Sequence, residues 1–249
     1  MPYPGRPANG GSKPRFYDFD DGVTRLVKWH PSVHGDKACF NELVASRLGQ
    51  LIGAPILRGS VVYVPAEIIP ADHQADGAQP GFHFAVTRMD GENFVPTQHY
   101  AEIENASELP MAAVHLGWLA VGDQEGHNQY LQRLEIKRDG YPPTTTKRFK
   151  LIDMGQMFGH FSWTAATAGA AHTAYKLPTH LAGALTLAKL QPAMVALRAV
   201  SPDAIRDCFM DCPEEWNIPT ADKEAAAARS VVAAAQIEAI IRGGNTTLQ

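Results

Sequence analysis

A lysine in the middle of an apolar strand is the feature that most narrows what this chain can fold into. Arg25-Leu26-Val27-Lys28-Trp29 reads as a strand, and a charge inside it is costly unless a partner meets it. Asp21-Gly22, just upstream, is a hairpin signal that turns the segment around Arg15-Phe16-Tyr17 onto this strand. The candidate partners of Lys28 are the phosphates of a ligand and Glu42. Glu42 opens an amphipathic helix in which Phe40, Leu43, Val44, Leu48, Leu51 and Ile52 recur at helical spacing. Further upstream, Gly10 and Gly11, followed by Ser12, allow backbone to approach a ligand where a Cβ would clash.

A second group of residues points to chemistry. Gly122-Asp123-Gln124-Glu125-Gly126-His127-Asn128 is followed by the apolar run Leu151-Ile152-Asp153-Met154-Gly155. An Asp, an Asn five residues later and a strand ending in Asp-x-Gly make up the minimal kit of a phosphoryl-transfer site. Asp123 can take a proton from an attacking hydroxyl, and Asn128 and Asp153 offer hard oxygen ligands to magnesium. A strand lysine steadied by a helix glutamate is how kinases hold nucleotide phosphates. Each residue alone has a plainer reading. Asp, Asn and Gly are what turns use, Glu42 could decorate its helix, and Lys28 could snorkel to water. Their order along one chain favours the joint reading.

These motifs resemble the HipA-like kinase domain family, a branch of the protein-kinase and phosphoinositide-kinase superfamily. The resemblance rests on Asn9-Gly10-Gly11-Ser12, Leu26-Val27-Lys28-Trp29, residues 41 to 48 (Asn-Glu-Leu-Val-Ala-Ser-Arg-Leu) and Ile52-Gly53-Ala54-Pro55-Ile56. It continues through the Asp–Asn loop and the Asp-x-Gly strand to Pro213-Glu214-Glu215-Trp216. It implies an α+β, bilobal kinase-like fold with a strand-rich N-lobe and a helical C-lobe. It implies ATP and magnesium as cofactors and γ-phosphoryl transfer to a hydroxyl of an unidentified protein or small molecule. Lys28 and Glu42 would then serve the nucleotide with Gly10, Gly11 and Ser12; Asn128 and Asp153 would hold the metal; Asp123 would face the acceptor. The family shows Asn-Pro-Asp-Arg where this chain has Val121-Gly122-Asp123-Gln124. The missing Arg bears on activity more than on fold. It supports an alternative, a pseudokinase that binds nucleotide or a partner without turnover. AMP transfer on the same fold is a further alternative that the residues do not separate from phosphoryl transfer.

The organisation agrees with two lobes. Residues 1 to 10 read as a loose leader that leaves no room for an N-terminal accessory subdomain, 11 to 90 as the N-lobe and 91 to 249 as the C-lobe. Strands are expected over 59 to 65 and 81 to 89, separated by a surface loop over 70 to 80. Asp90-Gly91 breaks the second strand where a kinase has its hinge. Helices are expected over 111 to 121, 181 to 200, 202 to 210 and 221 to 242, with Gly243-Gly244 as a stop. The long span between Asn128 and Asp153 is a hairpin insertion. After Asp153, the small and hydroxyl-rich stretch around Ser162, Thr164 and Thr167 reads as a mobile loop with conceivable phosphosites.

A net charge of −4 argues against a non-specific nucleic-acid binder. Cys39, Cys208 and Cys212 form no disulfide framework, and no signal pattern or apolar run of spanning length occurs. The expectation is a cytoplasmic protein with neither nucleic acid nor membrane as partner. His30 and His34 are four apart like a zinc helix, but Pro31 makes a helix there improbable. His115 reads as a packed helix histidine, and Cys208 and Cys212 as buried apolar side chains on one helix.

Overall fold

The computed structural model describes residues 6–7, 13–75, 77–95, 99–121, 128–136, 142–159 and 161–243. Gly10, Gly11, Ser12, Asp123 and His127 lie outside the described residues.

The front of the chain builds an antiparallel five-stranded sheet in the order β1-β2-β3-β5-β4. Its strands are β1 (Arg6–Pro7), β2 (Arg15–Asp18), β3 (Thr24–Lys28), β4 (Gly59–Val64) and β5 (Gly81–Thr87). The β2–β3 hairpin turns where Asp21-Gly22 signalled it: Gly22 takes φ +74°, and the Val23 N–H donates to Asp21 Oδ1 at 3.0 Å. Register then sorts the side chains. Phe16, Leu26 and Val86 are cross-strand neighbours, and Lys28 pairs with Phe84. Because side chains alternate along a strand, these five share one face, and helix α1 (Ala38–Ile52) packs against it. Tyr17, Val27 and Ala85 point the other way, into a smaller cluster with Trp29, Val64 and Ile69.

That outer cluster explains one departure from expectation. Residues 70 to 80 are not only a surface loop, because Ala71–Ala75 form a short helix, α2. It covers the outer face by burying His73 edge-on against Trp29, ring centroids 4.4 Å apart. A second departure is in α1. The helix begins at Ala38, so Glu42 sits in its second turn rather than opening it, and Leu51 faces solvent.

After Thr87 the chain leaves the first sheet and enters a three-stranded antiparallel one, β6 (Gly91–Asn93), β7 (Gln129–Ile136) and β8 (Thr144–Leu151). The expected insertion is the β7–β8 hairpin. Between β6 and β7 lies α3 (Leu109–Trp118), nearly all of it buried at the centre of the main core. Against it pack α5 (Leu187–Arg198), α7 (Thr220–Ala235) and α8 (Ile237–Gly243), and α4 (Thr179–Ala184) and α6 (Pro202–Met210) complete the helical part, α6 lying against α1 and α7.

Two of the expected long helices are therefore broken. The first stops at Leu185, which is extended, and Thr186 caps the next helix by accepting the Lys189 N–H at 3.3 Å. The second breaks at Gln236, which ends α7. Cys208 lies on α6, but Cys212 falls beyond its end. The two parts of the fold are tied late in the chain: the Trp216 indole N–H donates to the Phe82 carbonyl of β5 at 2.8 Å. The whole is an α+β fold with a strand-rich part and a helical part. Among the described residues, no helix is long and apolar enough to cross a membrane.

Candidate functional site

A cleft of about 960 Å³ opens between the inner face of the first sheet, α1 and the end of β8. Phe16, Leu26, Phe84 and Val86 form its apolar wall, and Lys28, Glu42 and Asp153 bring charge to it. Its size is within the range of small-molecule sites.

Local structure brings the charged residues together. Leu151 exchanges backbone bonds with the segment after α1: its N–H donates to Pro55 at 2.7 Å, and its carbonyl accepts from Leu57 at 3.2 Å. On the other side the Ile152 N–H donates to the Asn128 carbonyl at 3.0 Å. Held from both flanks, the chain turns at Asp153, which adopts φ +56°. A non-glycine residue in this region is uncommon, and such strain gathers at functional sites. Lys28 Nζ then meets both carboxylates, donating to Glu42 Oε1 and, at 2.6 Å, to Asp153 Oδ1. The other oxygen of Glu42 accepts the Met154 N–H at 3.0 Å.

The three charges differ in their surroundings. Glu42 is 6% exposed, and burial pushes its carboxyl up to about 7 against the pull of Lys28. Burial works against the Lys28 ammonium, but the two carboxylates outweigh it and keep the group charged. Asp153 also loses hydration, yet Lys28 holds its carboxyl below the usual range. Its side chain remains 48% exposed towards the cleft. An anionic oxygen is thus presented to a ligand while Glu42 is committed to internal bonds.

The sequence-derived residues are placed as follows. Lys28, Glu42 and Asp153 converge. Asn128 adjoins Ile152 through its backbone, and its side chain is fully buried, accepting from the Gln129 amide at 3.3 Å. Asp123, Gly10, Gly11 and Ser12 lie outside the described residues. Among the described residues no group of three or more His, Cys, Asp and Glu side chains could hold a metal, so His30 and His34 build no such site. His115 is wholly buried on α3, and burial pulls it down to about 3.

Sequence reasoning missed the residues that clamp the segment after Asp153. Rather than a loose loop, this stretch is packed: Trp163 is 2% exposed and Ala168 is buried. The Asn41 amide donates to the Gly155 carbonyl at 2.6 Å and accepts the Trp163 indole N–H at 3.0 Å. Lys37 Nζ donates to the Trp163 carbonyl and, at 2.7 Å, to Asp222 on α7. Ser162, Thr164 and Thr167 are exposed on this packed segment. A signal was present in the sequence, because Lys37 and Asn41 are polar residues one turn apart leading into the buried face of an apolar helix.

No protein-family model matches the chain, and no curated protein matches it. Among solved structures the chain is similar to a proinflammatory kinase of Helicobacter pylori, CtkA, with a TM-score of 0.60. The alignment covers 100% of this chain and 96% of that one at 10% identity. At that identity the likeness is one of fold, and it establishes that this chain has a kinase-like fold.

Proposed function

We propose that this protein is an ATP- and magnesium-dependent phosphotransferase of HipA-like type, moving the γ-phosphoryl group to a hydroxyl of a protein or small molecule. The observation that carries the reading is the Lys28–Glu42–Asp153 constellation at the base of a nucleotide-sized cleft in a kinase-like fold.

The donor set fits the cofactors. An ammonium fixed by a buried glutamate suits the α- and β-phosphates. A half-exposed carboxylate is a hard oxygen donor of the kind magnesium takes, and magnesium is usually bound by one or two carboxylates plus substrate phosphates. When bound, the ion would neutralise charge on the phosphates.

The remaining work belongs to the chain. Lys28 would orient the phosphates, with Glu42 fixing its Nζ. Phe16, Leu26, Phe84 and Val86 would exclude water from the apolar part of the nucleotide. Asp123, five residues before Asn128, would orient or deprotonate the acceptor, and the Gly10-Gly11-Ser12 amides would cover the phosphates.

ADP release and intact mass, followed with ATP and magnesium, test the reading in the native protein beside Asp123→Ala and Asp153→Ala. A turnover that falls by about 100-fold or more in each variant is expected. A gain of AMP mass would keep the site and replace the reaction. Nucleotide binding without turnover, weakened by Asp153→Ala, would identify a pseudokinase.

A further inference from the structure

Glu42 and its neighbour Asn41 hold consecutive residues of the same turn. Glu42 Oε2 accepts the N–H of Met154, and Asn41 donates to the carbonyl of Gly155. The strained turn at Asp153 is thus gripped on its C-terminal side by two adjacent side chains of α1. The Asn41 amide is fully buried and uses both ends, since its oxygen accepts the Trp163 indole N–H. One helical turn earlier, Lys37 takes the Trp163 backbone carbonyl and lies 4.6 Å over the Trp163 ring. Asp222 completes the chain of contacts, pairing with Lys37 and accepting the Ala165 N–H at 2.8 Å. Asp222 is in the first turn of α7, a helix that also reaches the same segment through Arg229, which donates to His172 Nδ1 at 3.1 Å.

We infer that Asn41 and Lys37 are positioning residues for Asp153: with Trp163 and Asp222 they lock the segment after Asp153 onto α1, and so fix the carboxylate relative to Lys28. This rests on the phosphotransferase reading for its consequence in turnover, but not for the lock itself. The physical reason is economy of partners. A buried amide that loses either bond leaves a polar group unsatisfied, so Asn41 admits few placements of Gly155 and Trp163. Asp153, by contrast, is half exposed, and Lys28 is the main restraint on its side chain. A lock on its neighbours therefore decides where its oxygens point. None of the four touches the open face of the cleft, so their effect on chemistry is indirect.

Two measurements on the full chain separate the lock from the reaction. Hydrogen exchange of the 154–165 amides reads the lock with no ligand present. Steady-state turnover of ATP with magnesium reads its consequence. In Asn41→Ala the 154–165 amides should exchange about tenfold faster or more, with the helical part unchanged. The kcat should fall by about 100-fold, with KM for ATP within about threefold, as expected when reacting groups are misplaced but binding persists. Trp163→Phe keeps an aromatic side chain but removes the indole N–H that Asn41 accepts, together with the pyrrole half of the ring, and it should shift both readings the same way. It carries the test if Asn41→Ala does not fold. Unchanged exchange in 154–165 overturns the lock whether or not the native protein turns over. Faster exchange with unchanged kcat overturns the positioning role. Faster exchange in a protein whose native form shows no turnover supports the lock and removes the phosphotransferase reading instead.

Discussion

At the scale of single residues, the centre of the molecule is a lysine shared by two carboxylates of unequal exposure. Breaking such a buried pair by removing one member costs about 3–5 kcal/mol, because the other charge is left without compensation. Lys28→Met should destabilise by that order in urea unfolding. Its pH dependence follows from Glu42. The unfolded carboxyl titrates near 4.5, and in the native fold burial already raises it to about 7. Without Lys28 it rises further, so the folded variant holds a proton that the unfolded chain has released. Stability of the variant then falls as pH rises from 4.5 upward. The loss from Lys28→Met should accordingly be larger at about pH 8 than at about pH 5.5, and equal losses at both would show that Glu42 is not the group left stranded. Asp153, whose carboxyl Lys28 holds low, contributes stability that is present above the ordinary carboxylate range and is lost as pH falls below it, where protonation removes its bond with Lys28.

At the scale of elements, α1 organises the site, since Lys37, Asn41 and Glu42 all project from its first half or the residue before it. Its far end is a Schellman closure: Gly53 takes φ +70°, its N–H donates to Gln50, and the Ala54 N–H donates to Gly49 at 2.8 Å. A Cβ at Gly53 would meet nothing within 4 Å, so Gly53→Ala isolates backbone strain. It should cost about 1 kcal/mol, which is about 2–4 °C of Tm for a chain of this size. Turnover should stay as in the native protein, because the half of the helix that carries Asn41 and Glu42 is held separately by its bonds to 154–163. A large drop in turnover at unchanged Tm would mean that the far end of α1 controls the site. The helix was readable from its apolar spacing. Its start was not: Lys37, the residue before it, makes no side-chain cap, and Asp36 stands one position ahead of the cap.

At the scale of the whole molecule, acid should act through buried histidines spread across both parts of the fold. Burial pulls His83 and His172 down to about 4 and His115 to about 3, from an ordinary value near 6.5. His83 hydrogen-bonds the His30 N–H and the Gln79 carbonyl at the outer cluster, and His172 lies between Trp118 and Arg229. Below about pH 6.5 the unfolded chain takes up protons that the folded one refuses, so stability falls as pH drops towards about 4, by about 1.4 kcal/mol for each group over each pH unit. Glu42 runs the opposite way between pH 4.5 and about 7, as one group against three. Thermal unfolding should show Tm dropping from about pH 6.5 to about pH 4.5, with a shallower drop in His115→Leu. A flat profile would place these rings in contact with water.

By itself the sequence determined the elements whose signals are local: the Asp21-Gly22 hairpin, the apolar face of α1, the hairpin between Asn128 and Asp153, and two strands, expected over 59 to 65 and 81 to 89 and formed over Gly59–Val64 and Gly81–Thr87. It also determined that Lys28 needs an anionic partner, because a charge in an apolar strand cannot be left alone. What only the tertiary structure decided was the set of bonds joining residues far apart in sequence. That Glu42 serves Lys28 and Met154 together, that Asp153 keeps an open oxygen, and that Asn41, Lys37, Trp163 and Asp222 interlock all depend on how α1 seats between the sheet and the segment after β8. The breaks at Leu185 and Gln236 were not read from the apolar pattern, which ran through both; at the first, Leu185 turns extended and Thr186 caps the next helix. Local pattern records which face of an element is apolar; which polar groups are buried together is settled when the faces meet.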